Sequence, residues 1–229
     1  MTDDQDETAD VTTATEPMSA VTYCPLHSLW EGSDAALLER MLDFYPRRPP
    51  ESILDATVNA GRFWTGSTRP VTGLDIDPRY QPNVVGDFRN MPFADESFDV
   101  VVFDPPHVPN QGRDQEKDFR DRFGLGEKSG PATNYSLSHL YPPFCNEAYR
   151  VLRPEGVLFA KIADYIHNHR MQWAHVDFLA AAQAAGFTAC DLIVKVRTGP
   201  IRDPKWKRAH HARRQHAFWV VCRKSKKCE

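Results

Sequence analysis

A short apolar run that ends in two prolines constrains this 229-residue chain more than any other feature. Val100–Phe103 is β-branched and aromatic, which is typical of a buried strand, and Asp104-Pro105-Pro106-His107 follows it directly. Proline lacks a backbone N–H and has a fixed φ, so the pair ends the strand and stiffens the next turn. The sequence therefore predicts a carboxylate, a rigid corner and a flat side chain where a buried strand ends.

Strand and helix signals alternate along the rest of the chain. The predicted strands are 52–58, 71–76, 84–87, 98–103, 157–163, 191–196 and 217–222, and the predicted helices are 35–45, 143–152 and 177–185. Such alternation indicates an α/β fold with a doubly wound, Rossmann-like sheet of seven strands, mostly parallel. A basic loop separates the last two strands, so we expect an antiparallel closing strand. Ser33 or Asp34 is the predicted N-cap of the first helix.

Composition divides the chain into an acidic start and one α/β domain. Residues 1–20 hold six acidic side chains and no Lys or Arg, and this segment is predicted to be disordered. The domain spans 21–229. It contains a long polar loop at 108–140, which we expect either to hold the substrate or to be a mobile cover over the site. It also contains a basic loop at 197–216.

Cysteine and hydropathy patterns argue against several classes of protein. The five cysteines are odd in number and scattered, without a Cys-x-x-Cys pair, so we expect neither a metal site nor a disulfide framework. This usage fits a reducing, cytoplasmic setting. The acidic start has neither the basic residues nor the apolar core of a signal peptide, and no run approaches the roughly 18 apolar residues of a membrane span.

The turn after the first predicted strand has the character of a ligand-binding turn. Gly61 allows a ligand to approach the backbone closely, and Ala56 and Ala60 are small neighbours. The turn lacks the Gly-x-Gly-x-x-Gly pattern that would cradle a pyrophosphate. It therefore favours a ligand without phosphates over a dinucleotide, and a nicotinamide-dependent oxidoreductase is disfavoured.

Acidic residues stand at the ends of three predicted strands. Asp75 is placed to accept hydrogen bonds from ribose hydroxyls, Asp87 from the amino group of an adenine, and Asp55 to face an ammonium group. Together they suit an adenosine that carries a cationic tail.

The end of the chain has a strong excess of cations. Residues 195–229 hold twelve Lys or Arg against two acids, an excess that phosphate neutralisation would explain. The candidate nucleic-acid-binding residues are Lys205, Lys207, Arg208, Arg213 and Arg214.

From about Ile53 to Lys224, the chain resembles the class I S-adenosylmethionine (SAM)-dependent methyltransferases. The resemblance rests on Ile53–Gly61, Gly73–Asp77, Gly86–Phe93 with Ser97–Asp99, Asn146–Gly156 and Ala184–Phe187. Within that superfamily, Asp104–His107 is similar to the (Asn/Asp/Ser)-Pro-Pro-(Tyr/Phe/Trp) signature of enzymes that methylate exocyclic base amines, chiefly adenine N6 and cytosine N4 of DNA. His107 takes the place of the usual aromatic residue.

The resemblance implies a set of functional residues in this chain. The methyl donor, SAM, would be held by Asp55, Ala56, Thr57, Asn59, Gly61, Asp75, Ile76, Asp87 and Phe88. The catalytic residues would be Asp104, Pro105, Pro106 and His107. The Asp104 carboxylate and the Pro105 carbonyl would accept both N–H groups of the target amine, and His107 would stack on the base. A base in a duplex would have to be flipped out to reach them.

The expected activity is methyl transfer to a base amine of DNA. Adenine N6 is preferred to cytosine N4 because the first signature residue is Asp, where cytosine enzymes more often carry Ser. Two alternatives remain: an RNA base-amine methyltransferase, or a nucleic-acid-binding protein of the same fold that has lost catalysis, as the single glycine of the turn would suggest. The sequence does not decide the target sequence or the oligomeric state.

Overall fold

The computed structural model describes residues 25–107, 137–167, 169–197 and 211–226. The predicted acidic segment 1–20 lies outside the described residues. So do most of the polar loop 108–140 and most of the basic loop 197–216, including Lys205, Lys207 and Arg208.

Ten strands and three α-helices are formed by the described residues. The strands are β1 (Leu29–Trp30), β2 (Ile53–Asp55), β3 (Val71–Asp75), β4 (Val84–Val85), β5 (Phe98–Phe103), β6 (Leu152–Ile162), β7 (Tyr165–His167), β8 (Arg170–Gln172), β9 (Phe187–Val196) and β10 (His216–Lys224). The helices are α1 (Asp34–Phe44), α2 (Tyr141–Val151) and α3 (Ala174–Ala184). Three single 3₁₀ turns occupy Arg62–Trp64, Pro78–Tyr80 and Leu137–Leu140.

Eight of the strands form one sheet, in the order β1-β9-β10-β6-β5-β2-β3-β4. All pairings in it are parallel except those of β10, which runs antiparallel to both β6 and β9. The predicted α/β class and the antiparallel closing strand are confirmed. The sheet has one strand more than predicted, because the two-residue β1 adds to the edge beside β9. Two residues are too few for any periodic signal.

Both faces of the sheet are covered by apolar side chains, as a mostly parallel sheet requires. Helix α1 buries Leu37, Leu38, Met41 and Leu42 against one face, together with Trp219 of β10. Helices α2 and α3 cover the other face, where Phe103 stacks on Phe144 with ring centroids 3.5 Å apart. Alternate residues of each strand therefore point into different cores.

The connections that follow β2 and β3 contain single 3₁₀ turns instead of α-helices. The first of these connections also carries the predicted ligand-binding turn. The carboxyl ends of β2, β3, β4, β5, β6 and β9 lie at one edge of the sheet because these strands are mutually parallel. That edge is where ligands bind in open α/β sheets. None of the described helices has the length and apolar character needed to cross a membrane.

Candidate active site

The turn after β2 is fixed to the strands on both sides of it. The backbone N–H of Ala56 donates to the Val102 carbonyl at 2.9 Å, and that of Val58 donates to the Leu74 carbonyl at 3.0 Å. Gly61 has a φ of +65°, in the left-handed region that glycine adopts without strain. A Cβ at this position would meet no atom of the described residues within 4 Å, so the backbone faces open space among them. A ligand can therefore approach it closely.

Asp75, at the end of β3, organises the same turn. One carboxylate oxygen accepts from the Asn59 N–H at 2.9 Å, and the other accepts from the Asp77 N–H at 2.9 Å. Asn59 has a φ of +48°, a left-handed conformation that asparagine tolerates better than most residues. A carboxylate offers about four acceptor positions, so the two oxygens keep capacity for ligand hydroxyls.

Asp55, at the end of β2, is 1% exposed and lies beneath the turn. It accepts from Trp64 Nε1 at 2.7 Å and from the Thr57 N–H at 3.1 Å. Burial, together with the nearby charges of Asp104 and Asp75, raises the pKa of Asp55 to about 7, although the two hydrogen bonds oppose this shift. A cation bound nearby would favour the ionised form of Asp55.

The remaining predicted donor residues differ in their surroundings. Asp87 forms an ion pair with Arg89 at 2.6 Å, and although burial opposes it, hydrogen bonds from Arg89 lower the pKa of Asp87. Phe88 packs in the core with its ring centroid 5.1 Å from that of Phe103. Ala56 is also in the core, and Ile76 is half-buried at the end of β3. None of these four side chains lines the cavity that is described below.

The corner formed by Asp104–His107 is attached directly to the turn after β2. The Asp104 N–H donates to the Thr57 hydroxyl at 2.8 Å, and both prolines are buried. This bond joins the end of β5 to the turn after β2. The corner and the turn therefore form one continuous surface.

Two polar atoms of this corner are buried without a hydrogen bond among the described residues. They are Asp104 Oδ1 and His107 Nε2, which contact each other as an ion pair at 2.7 Å. Each atom is therefore the other's polar neighbour, and neither has a hydrogen bond from another described residue. The His107 ring is turned toward Asp104, whereas the sequence predicts that it stacks on a base.

A cavity of about 600 Å³ lies above this edge of the sheet. Three of the predicted site residues line it: Thr57, Asn59 and Asp104. The rest of its wall comes from the turn after β2, from Tyr80, from the first residues of α1 and from two strands, namely Val58, Ala60, Arg62, Phe63, Tyr80, Ser33, Asp34, Ala35, Lys161 and Lys195. The volume is in the usual range for a small-molecule site.

Sequence reasoning missed the cavity residues contributed by α1, β6 and β9. Lys161 interrupts the apolar run 157–163 and Lys195 the apolar run 192–196. This was a usable signal, because charged side chains are rarely placed on a buried strand face without a partner. Trp64 was also missed as the hydrogen-bond donor to Asp55. An isolated tryptophan in a turn carries no such signal.

The described part of the basic segment packs on the β7–β8 hairpin. Arg214 donates to the Ala212 carbonyl at 2.8 Å and to the Met171 sulfur at 3.1 Å, and it is half-buried. Arg213 is exposed. The hairpin follows the carboxyl end of β6, so this segment lies along the same edge of the sheet as the cavity. Within the described ranges, no group of three or more His, Cys, Asp or Glu side chains could hold a metal ion.

Comparison with known proteins gives fold-level similarities. The sequence matches no protein-family model and no curated protein. A Haloferax volcanii protein assigned as a methyltransferase, in complex with the Trm112 methyltransferase activator, is 15% identical with a TM-score of 0.53, over 84% of this chain and 90% of that one. A Bacillus halodurans protein assigned as a methyltransferase is 18% identical with a TM-score of 0.53, over 85% and 100%.

A third neighbour, a SAM-dependent methyltransferase from Methanosarcina mazei, is 13% identical with a TM-score of 0.52, over 82% of this chain and 98% of that one. The chain therefore has the Rossmann-like fold of SAM-dependent methyltransferases.

Proposed function

We propose that this protein transfers a methyl group from SAM to the exocyclic amino group of a nucleic-acid base, with adenine N6 of DNA as the favoured acceptor. One observation carries the proposal. Asp104, at the proline-fixed corner, lines the same cavity as Thr57 and Asn59 and is bonded to Thr57 at 2.8 Å. The acceptor-binding corner and the donor-binding turn are thus joined at one site.

The residues present fit the methyl donor. Open space beside Gly61 admits a ligand to the backbone, and Asp75 keeps acceptor capacity for the ribose hydroxyls. The buried Asp55, whose ionised form a nearby cation would favour, suits a ligand with a cationic tail. When bound, SAM would supply a sulfonium methyl carbon, whose bond to sulfur breaks as the nitrogen lone pair attacks it, so that S-adenosylhomocysteine leaves.

The corner acts on the acceptor nitrogen. The lone pair of an exocyclic base amine is delocalised into the ring, so this nitrogen is a poor nucleophile. Accepting one N–H at the Asp104 carboxylate and the other at the Pro105 carbonyl favours a pyramidal nitrogen whose lone pair points out of the ring. The buried prolines hold these acceptors in place beforehand, which is the preorganisation that lowers barriers.

The unsatisfied Asp104 oxygen supports this assignment. An amine that donates to Oδ1 would supply the hydrogen bond that the described residues do not provide. The proton that leaves the methylated nitrogen can pass to water or to Asp104, and His107 lies 2.7 Å from that carboxylate. The ring can stack on a base only after it turns away from Asp104.

The choice of a nucleic acid rests on charge and on the sequence signature. The cation excess of residues 195–229 suits phosphate contacts, and Arg213 is an exposed part of it at the edge of the sheet that carries the cavity. The Asp-Pro-Pro corner resembles that of base-amine methyltransferases. A base in a duplex has to be flipped to reach it.

The test is incubation of the full chain with isotopically labelled SAM and unmodified duplex DNA, single-stranded DNA or RNA, followed by nucleoside mass spectrometry. We expect labelled N6-methyladenine from DNA. Label in N4-methylcytosine would identify cytosine N4 as the methylated position. Label in RNA alone would identify RNA as the substrate. Failure to bind SAM, with retained DNA binding, would identify a non-catalytic nucleic-acid-binding protein.

A further inference from the structure

The cavity has a cationic end as well as an acidic end. Side chains of the strands alternate between the two faces of the sheet, and on the α1 face the carboxyl edge carries Asp55, Asp104, Lys161 and Lys195 in that order across β2, β5, β6 and β9. Of these, Asp104, Lys161 and Lys195 line the cavity, and Asp55 is buried beneath the turn after β2. The acids lie above β2 and the end of β5. The two lysines lie toward the part of the sheet that contains the antiparallel strand β10. The proposed function assigns neither of them a contact to SAM or to the target base.

Lys161 is neutralised by the protein itself. Its Nζ forms an ion pair with Asp34 at 2.8 Å, and the second carboxylate oxygen of Asp34 accepts from Trp219 Nε1 at 3.0 Å. The Lys161 Nζ also lies 5.2 Å from the centre of the Phe63 ring. This pair joins the start of α1 to β6 and β10, and the charges of Lys161 and Asp34 cancel.

Lys195 is different, because it is buried without a countercharge from any residue that the structure describes. The residue is 9% exposed, and its Nζ donates to the carbonyl of Val196 at 2.7 Å. No carboxylate within the described ranges pairs with it. An ammonium group has three donors, and burying one without an anion is costly. One donor is used by the Val196 carbonyl, so among the described residues two donors of Lys195 remain for the cavity that it lines.

The first residues of α1 complete this end of the cavity. Ser33 caps the helix by accepting from the Ala36 N–H at 3.1 Å, and Ser33, Asp34 and Ala35 form part of the wall. The positive end of the dipole of an 11-residue helix thus faces the same space as Lys195. Lys161, Lys195 and Asp34 together carry a net charge of +1.

We propose that the Lys195 end of the cavity binds an oxyanion of a bound ligand, a carboxylate or a phosphate. The proposal deepens the proposed function and rests on it, since the anion would belong to one of its two substrates. It would be either the carboxylate of the methyl donor or a phosphate of the strand that presents the base. Strand β9, which carries Lys195, is three strands from β5, which precedes Asp104. At the usual strand spacing, their backbones are about 14 Å apart. Both side chains line the cavity between them.

The test is Lys195→Met, which keeps the length and apolar stem of the side chain and removes its charge. Calorimetric titrations compare S-adenosylhomocysteine with methylthioadenosine, which lacks the amino-acid arm. If the anion is the donor carboxylate, the variant weakens binding of S-adenosylhomocysteine about tenfold and leaves methylthioadenosine unchanged. Lys195→Arg should retain most of the wild-type affinity in either case.

The second arm uses a single-stranded oligonucleotide as the probe. If the anion is a strand phosphate, Lys195→Met leaves binding of S-adenosylhomocysteine unchanged, weakens oligonucleotide binding several-fold and lowers its dependence on salt. The matched control is Lys226→Met, since Lys226 is an exposed lysine after β10, at the opposite edge of the sheet. Thermal unfolding of both variants checks that the fold is intact.

Wild-type affinity of Lys195→Met for all three probes would overturn the proposal. These titrations require no methyl transfer. If the wild type binds S-adenosylhomocysteine but labels no nucleic acid, the proposed function fails, and the comparison of the two nucleosides still decides whether the Lys195 site exists.

Discussion

The two halves of the candidate site differ in how far the protein itself has satisfied their polar atoms. In the donor half, Asp55, Asp75 and Asp87 each accept at least two hydrogen bonds from neighbouring protein groups. In the acceptor half, Asp104 Oδ1 and His107 Nε2 contact each other at 2.7 Å, and neither has a hydrogen bond among the described residues. Satisfied carboxylates fix a backbone shape that a ligand then meets, whereas an unsatisfied one can act on a substrate directly.

The largest expected effect is at the acceptor corner. Asp104→Ala removes the acceptor for the amine, so we expect methyl transfer to fall by about 10²–10³-fold. Binding of S-adenosylhomocysteine should stay near the wild-type value, because the donor turn keeps its own bonds. Transfer assays and calorimetry measure the two effects separately.

Asp104→Asn is the matched control, since it keeps an acceptor oxygen and corresponds to a residue found in the resembling signature. It should retain far more activity than Asp104→Ala. Transfer by Asp104→Ala at the wild-type rate would show that Asp104 has no catalytic role.

The second prediction concerns the donor half. Asp75→Ala removes the acceptor for the Asn59 N–H and the candidate ribose contact, so binding of S-adenosylhomocysteine should weaken about 10–100-fold. Asp87→Ala should weaken it less, because Arg89 occupies both oxygens of Asp87. Calorimetry on both variants measures the two losses of affinity for S-adenosylhomocysteine. Equal losses would contradict this ranking.

The third prediction uses the raised pKa of Asp55. With a pKa of about 7, Asp55 is largely protonated at lower pH, and a cationic ligand favours its ionised form. Binding of SAM must then release a proton, so its affinity should fall as the pH drops below 7, by at most about tenfold per pH unit. Titrations between about pH 5.5 and 8 measure the slope. Asp55→Asn should flatten it, and an unchanged slope in that variant would assign the effect to another group.

The smallest effects are expected at the basic segment. Arg213→Ala should weaken DNA binding a few-fold and reduce the slope of log affinity against log salt by about 1. Arg214→Ala should instead lower the free energy of unfolding by about 1 kcal/mol, because Arg214 packs on Met171 and Ala212. Salt-dependent binding and chemical denaturation separate the two roles. A reversed pattern would mean that Arg214 is the phosphate contact.

Much of the architecture was predictable because apolar periodicity specifies it. Strand β5 matches its predicted bounds, 98–103, since five of its six residues are buried and the prolines end it. The antiparallel β10 was predictable from the absence of a helix before it. Helix α3 begins three residues earlier than predicted, because its start, Ala174, follows Trp173, which is no usual N-cap.

The candidate site was predictable only where strand ends carry acids. Asp104 and the turn near Gly61 follow the carboxyl ends of β5 and β2, which are adjacent parallel strands. Lys195 and Asp34 reach the cavity because β10 places β9 beside the rest of the sheet and because α1 packs across it. Such juxtapositions depend on long-range packing, which no local pattern encodes.

The central position of β10 has a consequence for biosynthesis. Both of its neighbours, β6 and β9, leave the ribosome before it, so each presents an open edge until β10 arrives between them. During that interval the nascent chain exposes strand edges that can pair with other chains. A variant that slows insertion of β10, such as one that replaces the large buried Trp219, should therefore reduce soluble yield in cells before it measurably weakens ligand binding.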